Sequence, residues 1–324
     1  MQKLQTLGVC GIFLLIALLF SGCSTPSPVE SRPETVNPGD LADFVQAGAA
    51  YAEVAGEEAA LEEFSDKSGL FSRGDLYIYA YDFNGTLLAH PYEADKMGTD
   101  RMNWTDIRGL PVIRIASYAA SEGGGYSAYL YPEPTSGVID EKARDSYVPK
   151  IGYSYSVNER WWIGSGIYFS DLPADGTGTY PVPVTEMIAL VEEGVEFGRS
   201  SGSEVAFAEI SNRSGKFIDS VGHYLYAYRY DGTLLAHPYL PDSIGKNLID
   251  KRGPFGMDII RALSETADAG GGFVVFVWPN PDKENRLEQK IGYVLPVDEE
   301  WWVGSGVYLS EITGVDTSLP SPSA

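Results

Sequence analysis

One phrase occurs twice in this chain, and that fact limits the possible folds more than any other. YIYAYDFNGTLLAHPY at 77–92 returns as YLYAYRYDGTLLAHPY at 224–239, with twelve of the sixteen positions identical. Two more pairs follow in the same order: KIGYSYSV at 150–157 with KIGYVLPV at 290–297, then WWIGSGIY at 161–168 with WWVGSGVY at 301–308. The second copy is shorter between its His-Pro and Lys-Ile-Gly landmarks. The excess in the first is the polar stretch TSGVIDEKARDSY, which reads as a longer loop. Two copies at this long period indicate paired globular domains rather than a solenoid, which needs at least three stacked repeats.

Each copy has the same coarse order. It opens with LADFVQAGAAYAEVAGEEAALEEF or TEMIALVEEGVEFGRSSGSEVAFAEI, whose apolar spacing of three and four predicts a helix broken at Gly56 or Gly202. Strict alternation then predicts a strand with Tyr77, Tyr79 and Tyr81 on one face and Ile78 and Ala80 on the other. Asn84-Gly85 and Asp231-Gly232 predict a tight hairpin turn with both residues at positive φ. TLLAH returns, and proline ends the strand because it cannot donate to the ladder. A second helix is expected around Val112–Ala120 and Met257–Ala267, followed by a glycine triplet and three strands. The class is α+β, an antiparallel sheet flanked by helices.

The ends carry different signals. Lys3, an apolar run from Leu7 to Phe20 and then Ser21-Gly22-Cys23 read as a signal peptide over 1–22 with a lipobox-like end and an acylated Cys23. Such a lipid would hold the chain on a membrane without a spanning helix. Residues 23–40 read as a flexible tether and 313–324 as a disordered tail, since both are Pro- and Ser-containing and poor in core formers. No kinase-like or coiled-coil segment follows the second copy, so any output is expected to pass through a membrane receptor or transporter.

Both cysteines, Cys10 and Cys23, precede the folded body, which excludes disulfides and thiolate metal sites there. Forty-five acids against twenty-three bases give a net charge of −22, which opposes binding to nucleic acid and keeps an exported chain dispersed. An anionic ligand would need local bases to overcome that field.

Taken together, the Tyr-rich strand, DGT-type turn, LAHP, Gly-Lys-Asn, GGG-strand-W-P-N-P, K-I-G-Y and WW-x-G-S-G-x-Y resemble the single Cache domain of type 2. The resemblance covers about residues 41–170 and 184–312, with 171–183 as linker. It implies two tandem PAS-like modules, each with a long N-terminal helix beside a curved antiparallel sheet whose concave side holds a small metabolite. Typical ligands would be short organic acids or amino acids, bound outside the cytoplasm. The copies differ at expected pocket positions. Gly245-Lys246-Asn247 in the second stands against Gly98-Thr99-Asp100, Asp106 against Gly253, and Trp278-Pro279-Asn280-Pro281 against Tyr131-Pro132-Glu133-Pro134. The modules are therefore expected to bind different ligands, or one to be structural only.

Only three histidines exist, and His90 and His237 occupy the same place in the repeat. Each can hydrogen-bond a carboxylate, or simply satisfy the backbone of its turn. His223 has no counterpart and is assigned to the surface. Lys150 and Lys290 read either as solvated strand-edge charges or as point charges for an anionic head group. Arg101 and Arg252 are further cations, but they do not align. Tyr79, Tyr81, Tyr226 and Tyr228 suit a small amphipathic ligand, with Tyr129, Tyr131 and Trp278 as an opposite wall. The Trp161-Trp162 and Trp301-Trp302 pairs must straddle a strand and are assigned mainly to packing.

Nothing in the sequence supports catalysis: there is no nucleophile elbow, no HExxH and no phosphate loop. No cofactor or metal is expected. Asp82 and Asn84 fit a hairpin better than a calcium loop, and Asn84, Asn103 and Asn212 begin glycosylation sequons. The leading reading is a lipid-anchored, extracytoplasmic protein that binds a short organic acid. The alternative is an envelope protein–protein interaction module whose Cache folds no longer bind ligand.

Overall fold

Asn37 starts the first helix. Its side chain accepts the Asp40 N–H while the Asp40 carboxylate accepts the Asn37 N–H, both at 3.0 Å, and Pro38 takes the first turn, where no N–H is needed. The computed structural model of the protein describes residues 36–73, 75–133, 139–172 and 179–319. The signal segment, Cys23 and most of the tether lie outside them. The helix nevertheless begins three residues inside the stretch assigned to the tether, because Asn37-Pro38 forms a complete cap.

The first module contains α1 (Pro38–Ala55), α2 (Glu57–Ser65), β1 (Ser72–Arg73), β2 (Leu76–Tyr77), β3 (Tyr79–Asp82), β4 (Leu87–Ala89), α3 (Val112–Ser121), β5 (Gly125–Pro132), β6 (Tyr147–Ser156) and β7 (Trp161–Tyr168). The second repeats the plan with α4 (Val182–Ser201), α5 (Ser203–Ile210), β8 (Tyr226–Arg229), β9 (Leu234–Ala236), α6 (Ile259–Asp268), β10 (Gly272–Asn280), β11 (Arg286–Pro296), β12 (Trp301–Tyr308) and α7 (Leu309–Thr313). Gly56 and Gly202 break the opening helices at φ 86° and 85°, as their positions predict. The second opening helix starts at Val182, inside the expected linker.

β1 and β2 form a small antiparallel pair, and the two five-stranded sheets are antiparallel with strand orders β4-β3-β7-β6-β5 and β9-β8-β12-β11-β10. The last strand of each module inserts between the hairpin and the middle strands. That leaves β6 and β11 as interior strands. The opening helix packs on one face, where Leu41, Val45, Ala49, Ile78, Ile151 and Ile163 are buried together. Gly48 allows the close approach, since a Cβ there would fall 2.2 Å from Ile78 Cδ1; Gly194 faces Leu225 Cδ1 in the same way, at 2.4 Å. The other face carries α3 or α6 and the candidate sites.

Two expectations need correction. The hairpin turns have one positive-φ residue rather than two: Gly85 at 90° and Gly232 at 89°, with Asn84 and Asp231 not left-handed. Asp82 Oδ1 accepts the N–H groups of Asn84 and Thr86, which holds the turn in this bulged form, and the ladder shifts register between Ala80 and Tyr81. The C-terminal stretch also packs further than a tail would. Leu319 bridges to Leu287, and Thr317 donates to the buried carboxylate of Glu288 at 2.6 Å.

Where β10, β11 and α7 of the second module meet β5 of the first, a side chain makes the link directional. Gln289 on β11 is 1% exposed; its Oε1 accepts the Ala128 N–H and its Nε2 donates to the Ala128 carbonyl, both at 2.8 Å. β5 is the edge of its sheet, so this amide supplies the partner that a further strand would otherwise provide.

Candidate ligand-binding sites

The site face of each sheet is set by strand alternation. In the first module Tyr79 and Tyr81 of β3, Lys150 of β6, and Tyr129 and Tyr131 of β5 line one cavity with Tyr77, His90, Val112 and Ile113. In the second, Tyr226, Tyr228, Lys290, Phe276 and Trp278 line its counterpart with Tyr224, His237, Ile259, Ile260 and Leu263. All eleven His, Lys, Tyr and Trp side chains named from the sequence as ligand contacts reach these two cavities, six in the first and five in the second. Tyr81 stacks on Trp162 at 5.2 Å and Tyr228 on Trp302 at 5.2 Å, so the inner tryptophans buttress the walls without lining either cavity.

Glycines make room for the side chains that line the cavities. A Cβ on Gly166 would fall 2.9 Å from Lys150 Cε, and one on Gly306 would fall 2.8 Å from Lys290 Cε. Likewise a Cβ on Gly164 or Gly304 would collide with the ring of Tyr79 or Tyr226. The repeated GSG is therefore the space that the lysine stems and tyrosine rings occupy. The sequence reading gave these glycines no role, although glycine at alternating positions of an interior strand is itself an unusual signal.

Lys150 is 2% exposed and Lys290 5%, and among the described residues neither ammonium has a carboxylate within 4.0 Å. Solvated edge charge is thus excluded. Aromatic faces surround them instead: Lys150 Nζ lies 5.0, 5.1 and 4.5 Å from the rings of Tyr77, Tyr131 and Tyr168, and Lys290 Nζ lies 4.9 and 4.5 Å from Tyr224 and Tyr308. Such faces only partly replace lost hydration. Burial lowers both lysines to about 8, and more distant carboxylates (Asp75, Asp171 and Glu93, or Glu311 and Asp282) resist the shift. Both remain mostly cationic at neutral pH.

The histidines combine the two roles considered from sequence. His90 Nδ1 accepts the N–H groups of Tyr92 and Glu93 at 3.0 and 3.1 Å, and His237 Nδ1 accepts that of Tyr239 at 3.0 Å. Acceptance at Nδ1 places the proton of the neutral ring on Nε2. Burial, then the neighbouring lysine, lowers both rings to about 3, so each is a neutral donor. A neutral N–H beside a buried ammonium, ringed by tyrosines, suits a small carboxylate.

The modules diverge at the mouth. Glu93, 3% exposed, lines the first cavity; it pairs with Lys96, and its Oε2 lies 3.6 Å from His90 Nε2. Glu141, from the longer loop, joins Lys96 at 3.1 Å and Arg101 at 2.6 Å. Leu240, Ser243 and Leu248 stand at the positions of Glu93, Lys96 and Arg101 in the second copy. There the cavity adjoins a cleft of about 820 Å³ that shares Tyr224, His237, Leu240 and Trp278. Each inner cavity is itself only about 30 Å³, the volume of one water, so a larger ligand must part the walls.

Several assignments change. Glu93 was not singled out, because nothing in HPYEADK marks a glutamate as buried. His223 is not a surface residue: it is 6% exposed, with Nδ1 2.7 Å from Asp219 and Nε2 2.5 Å from Glu311. Its ring closes the gap between the 219–222 turn and α7. Arg101 belongs to the first cavity, whereas Arg252 is exposed, pairs with Asp258 at 3.2 Å and only borders the cleft. Asp106 does not line a cavity; its carboxylate accepts the N–H groups of Arg108, Leu110 and Leu130, bracing β5. Among the described residues no cluster of three His, Cys, Asp or Glu could hold a metal, and no helix is long and apolar enough to cross a membrane.

Comparison with known proteins agrees with this architecture. Residues 67–179 and 185–318 each match the family described as Single Cache domain 2. The chain is similar to the sensor histidine kinase MctS of Rhizobium johnstonii, 36% identical over 90 residues, and to the methyl-accepting chemotaxis protein CtpM of Pseudomonas aeruginosa, 28% identical over 134 residues. These stretches are 28% and 41% of this chain but only 19% and 23% of those two proteins. Among solved structures, a methyl-accepting chemotaxis protein from Vibrio parahaemolyticus is 26% identical, with a TM-score of 0.34, over 40% of this chain and 90% of that one. A Cache chemosensory domain described for carboxylic acid recognition is 22% identical, with a TM-score of 0.30, over 40% and 87%. The matched segments span both copies of the repeat and more than half of the sequence: the chain belongs to the Single Cache domain 2 family and carries two such domains in tandem.

Proposed function

We propose that this protein is an extracytoplasmic sensor of a short organic acid, held at the membrane through a lipid on Cys23. Cache domains are non-catalytic sensing modules; one similar protein is named a sensor histidine kinase and the other a methyl-accepting chemotaxis protein. One observation carries the ligand class: Lys290, 5% exposed and without an ion-pair partner among the described residues, faces a cavity shared with the Nε2–H donor His237. A buried cation held without a counterion is costly, and a carboxylate supplies the missing charge. The inward aim of His and Lys in both modules speaks against the reading of a pure interaction module.

Ligand entry would part the walls of the cavity and shift the elements around it, and a membrane receptor or transporter would read that change. The test is a thermal-shift screen of the protein against organic acids and amino acids, repeated with Lys290→Met. An acid that raises Tm in the unsubstituted protein and not in the variant supports the proposal. No stabilising acid in the screen, or equal stabilisation of the variant, overturns it. For the anchor, metabolic labelling with a radioactive fatty acid should mark the chain and fail with Cys23→Ser.

A further inference from the structure

We infer that Glu93 is a built-in carboxylate beside the histidine that would meet a ligand's carboxylate in the first module, so that only the second module takes a free acid. This rests on the carboxylate reading of the Lys–His pair given above. Glu93 is buried in the cavity wall, 3.6 Å from the Nε2 that would otherwise meet the ligand. It is also fixed there. Its N–H donates to His90 Nδ1, its carboxylate pairs with Lys96, and Lys96 continues through Glu141 to Arg101.

A second anion entering this cavity would meet Glu93 at close range in a poorly solvated space, where like charges repel strongly. The entrance is also tied. Lys96, Glu141 and Arg101 form a continuous chain of ion pairs, and Arg101 lies 5.0 Å above the Trp104 ring. Glu141 comes from the loop that the second copy lacks, so the insertion and the internal carboxylate belong to one arrangement. In the second module Leu240 takes the place of Glu93, no carboxylate is among the residues that line the cavity, and the cleft leads to it. Glu93 and Leu240 are thus the residues that set which module responds.

The test counts bound acid on the full protein by isothermal titration and native mass spectrometry, with acetate, propionate and succinate as separate probes. The expected result is one acid per chain, lost in Lys290→Met and kept in Lys150→Met. Glu93→Leu should raise the count to two, and Leu240→Glu should lower it to zero. Glu93→Gln, which removes the charge and keeps the shape, repeats the gain if Glu93→Leu folds poorly. One acid that depends on Lys150 rather than Lys290 overturns both the role of Glu93 and the Lys290 reading; two acids on the unsubstituted chain overturn the role of Glu93 while leaving the carboxylate reading intact. So does a count that stays at one in both Glu93 variants. No acid bound by the unsubstituted chain overturns both.

Discussion

Gly306 makes the room that Lys290 fills: a Cβ there would lie 2.8 Å from Lys290 Cε and 3.1 Å from the Ile291 carbonyl oxygen. The lysine stem can yield and the backbone cannot, so Gly306→Ala should push the ammonium out of its aromatic cage. We expect acid affinity to fall at least about tenfold, with a stability loss within the ~1–3 kcal/mol typical of overpacking. Isothermal titration and urea denaturation read the two effects separately.

Lys290 should weaken the ligand-free protein that it equips for binding. Its folded pKa of about 8 lies below the ordinary value of 10.5, so the contribution to stability is full only above 10.5 and is lost as pH falls through 8. At pH 7 the buried charge costs about 3 kcal/mol, since each tenfold loss of proton affinity on folding corresponds to ~1.4 kcal/mol. Lys290→Met should therefore raise Tm at pH 7 while abolishing acid binding. Denaturation at pH 7 and 9 should show the gap between variant and parent closing by ~1 kcal/mol.

One amide adds paired hydrogen bonds to the contacts that β10, β11 and α7 make with β5 between the two modules. Gln289→Leu removes both hydrogen bonds to Ala128 and leaves a buried N–H and carbonyl unpaired, a loss of about 2–4 kcal/mol. Hydrogen exchange at the Ala128 amide should accelerate ahead of its neighbours on β5. Unchanged protection at Ala128 would show that this contact does not bind the modules together.

His223 predicts the opposite pH behaviour from Lys290. Burial alone would lower its pKa, but the hydrogen bond and charge of Glu311, with those of Asp219, raise it above the ordinary value. The contribution is thus full below about 6.5 and lost as pH rises through the raised folded value. His223→Leu, which copies Leu76 of the first module, should destabilise the protein most at pH 6 and least at pH 9. Denaturation curves at those two values measure the difference.

Much of the fold could be read from the repeat, because alternation, apolar spacing and turn residues are local signals. The helix breaks at Gly56 and Gly202 followed from chain chemistry alone, and the tyrosine faces followed from strand period. Strand order did not. Only the insertion of β7 and β12 between hairpin and middle strands makes Lys150 and Lys290 interior, and no local pattern announces that. His223 was misplaced for a related reason, since Glu311 is far away in sequence and the first copy offers only Leu76 for comparison. Glu93 escaped notice because burial of a glutamate depends on Lys96 and Glu141 arriving beside it.

The most direct measurement is a crystal structure of the protein with the acid that most raises its Tm. The account predicts a carboxylate in the second module with its oxygens about 3 Å from Lys290 Nζ and His237 Nε2. An acid bound in the outer cleft against Lys251 or Arg252, with the Lys290 ammonium still enclosed only by Tyr224 and Tyr308, would contradict it.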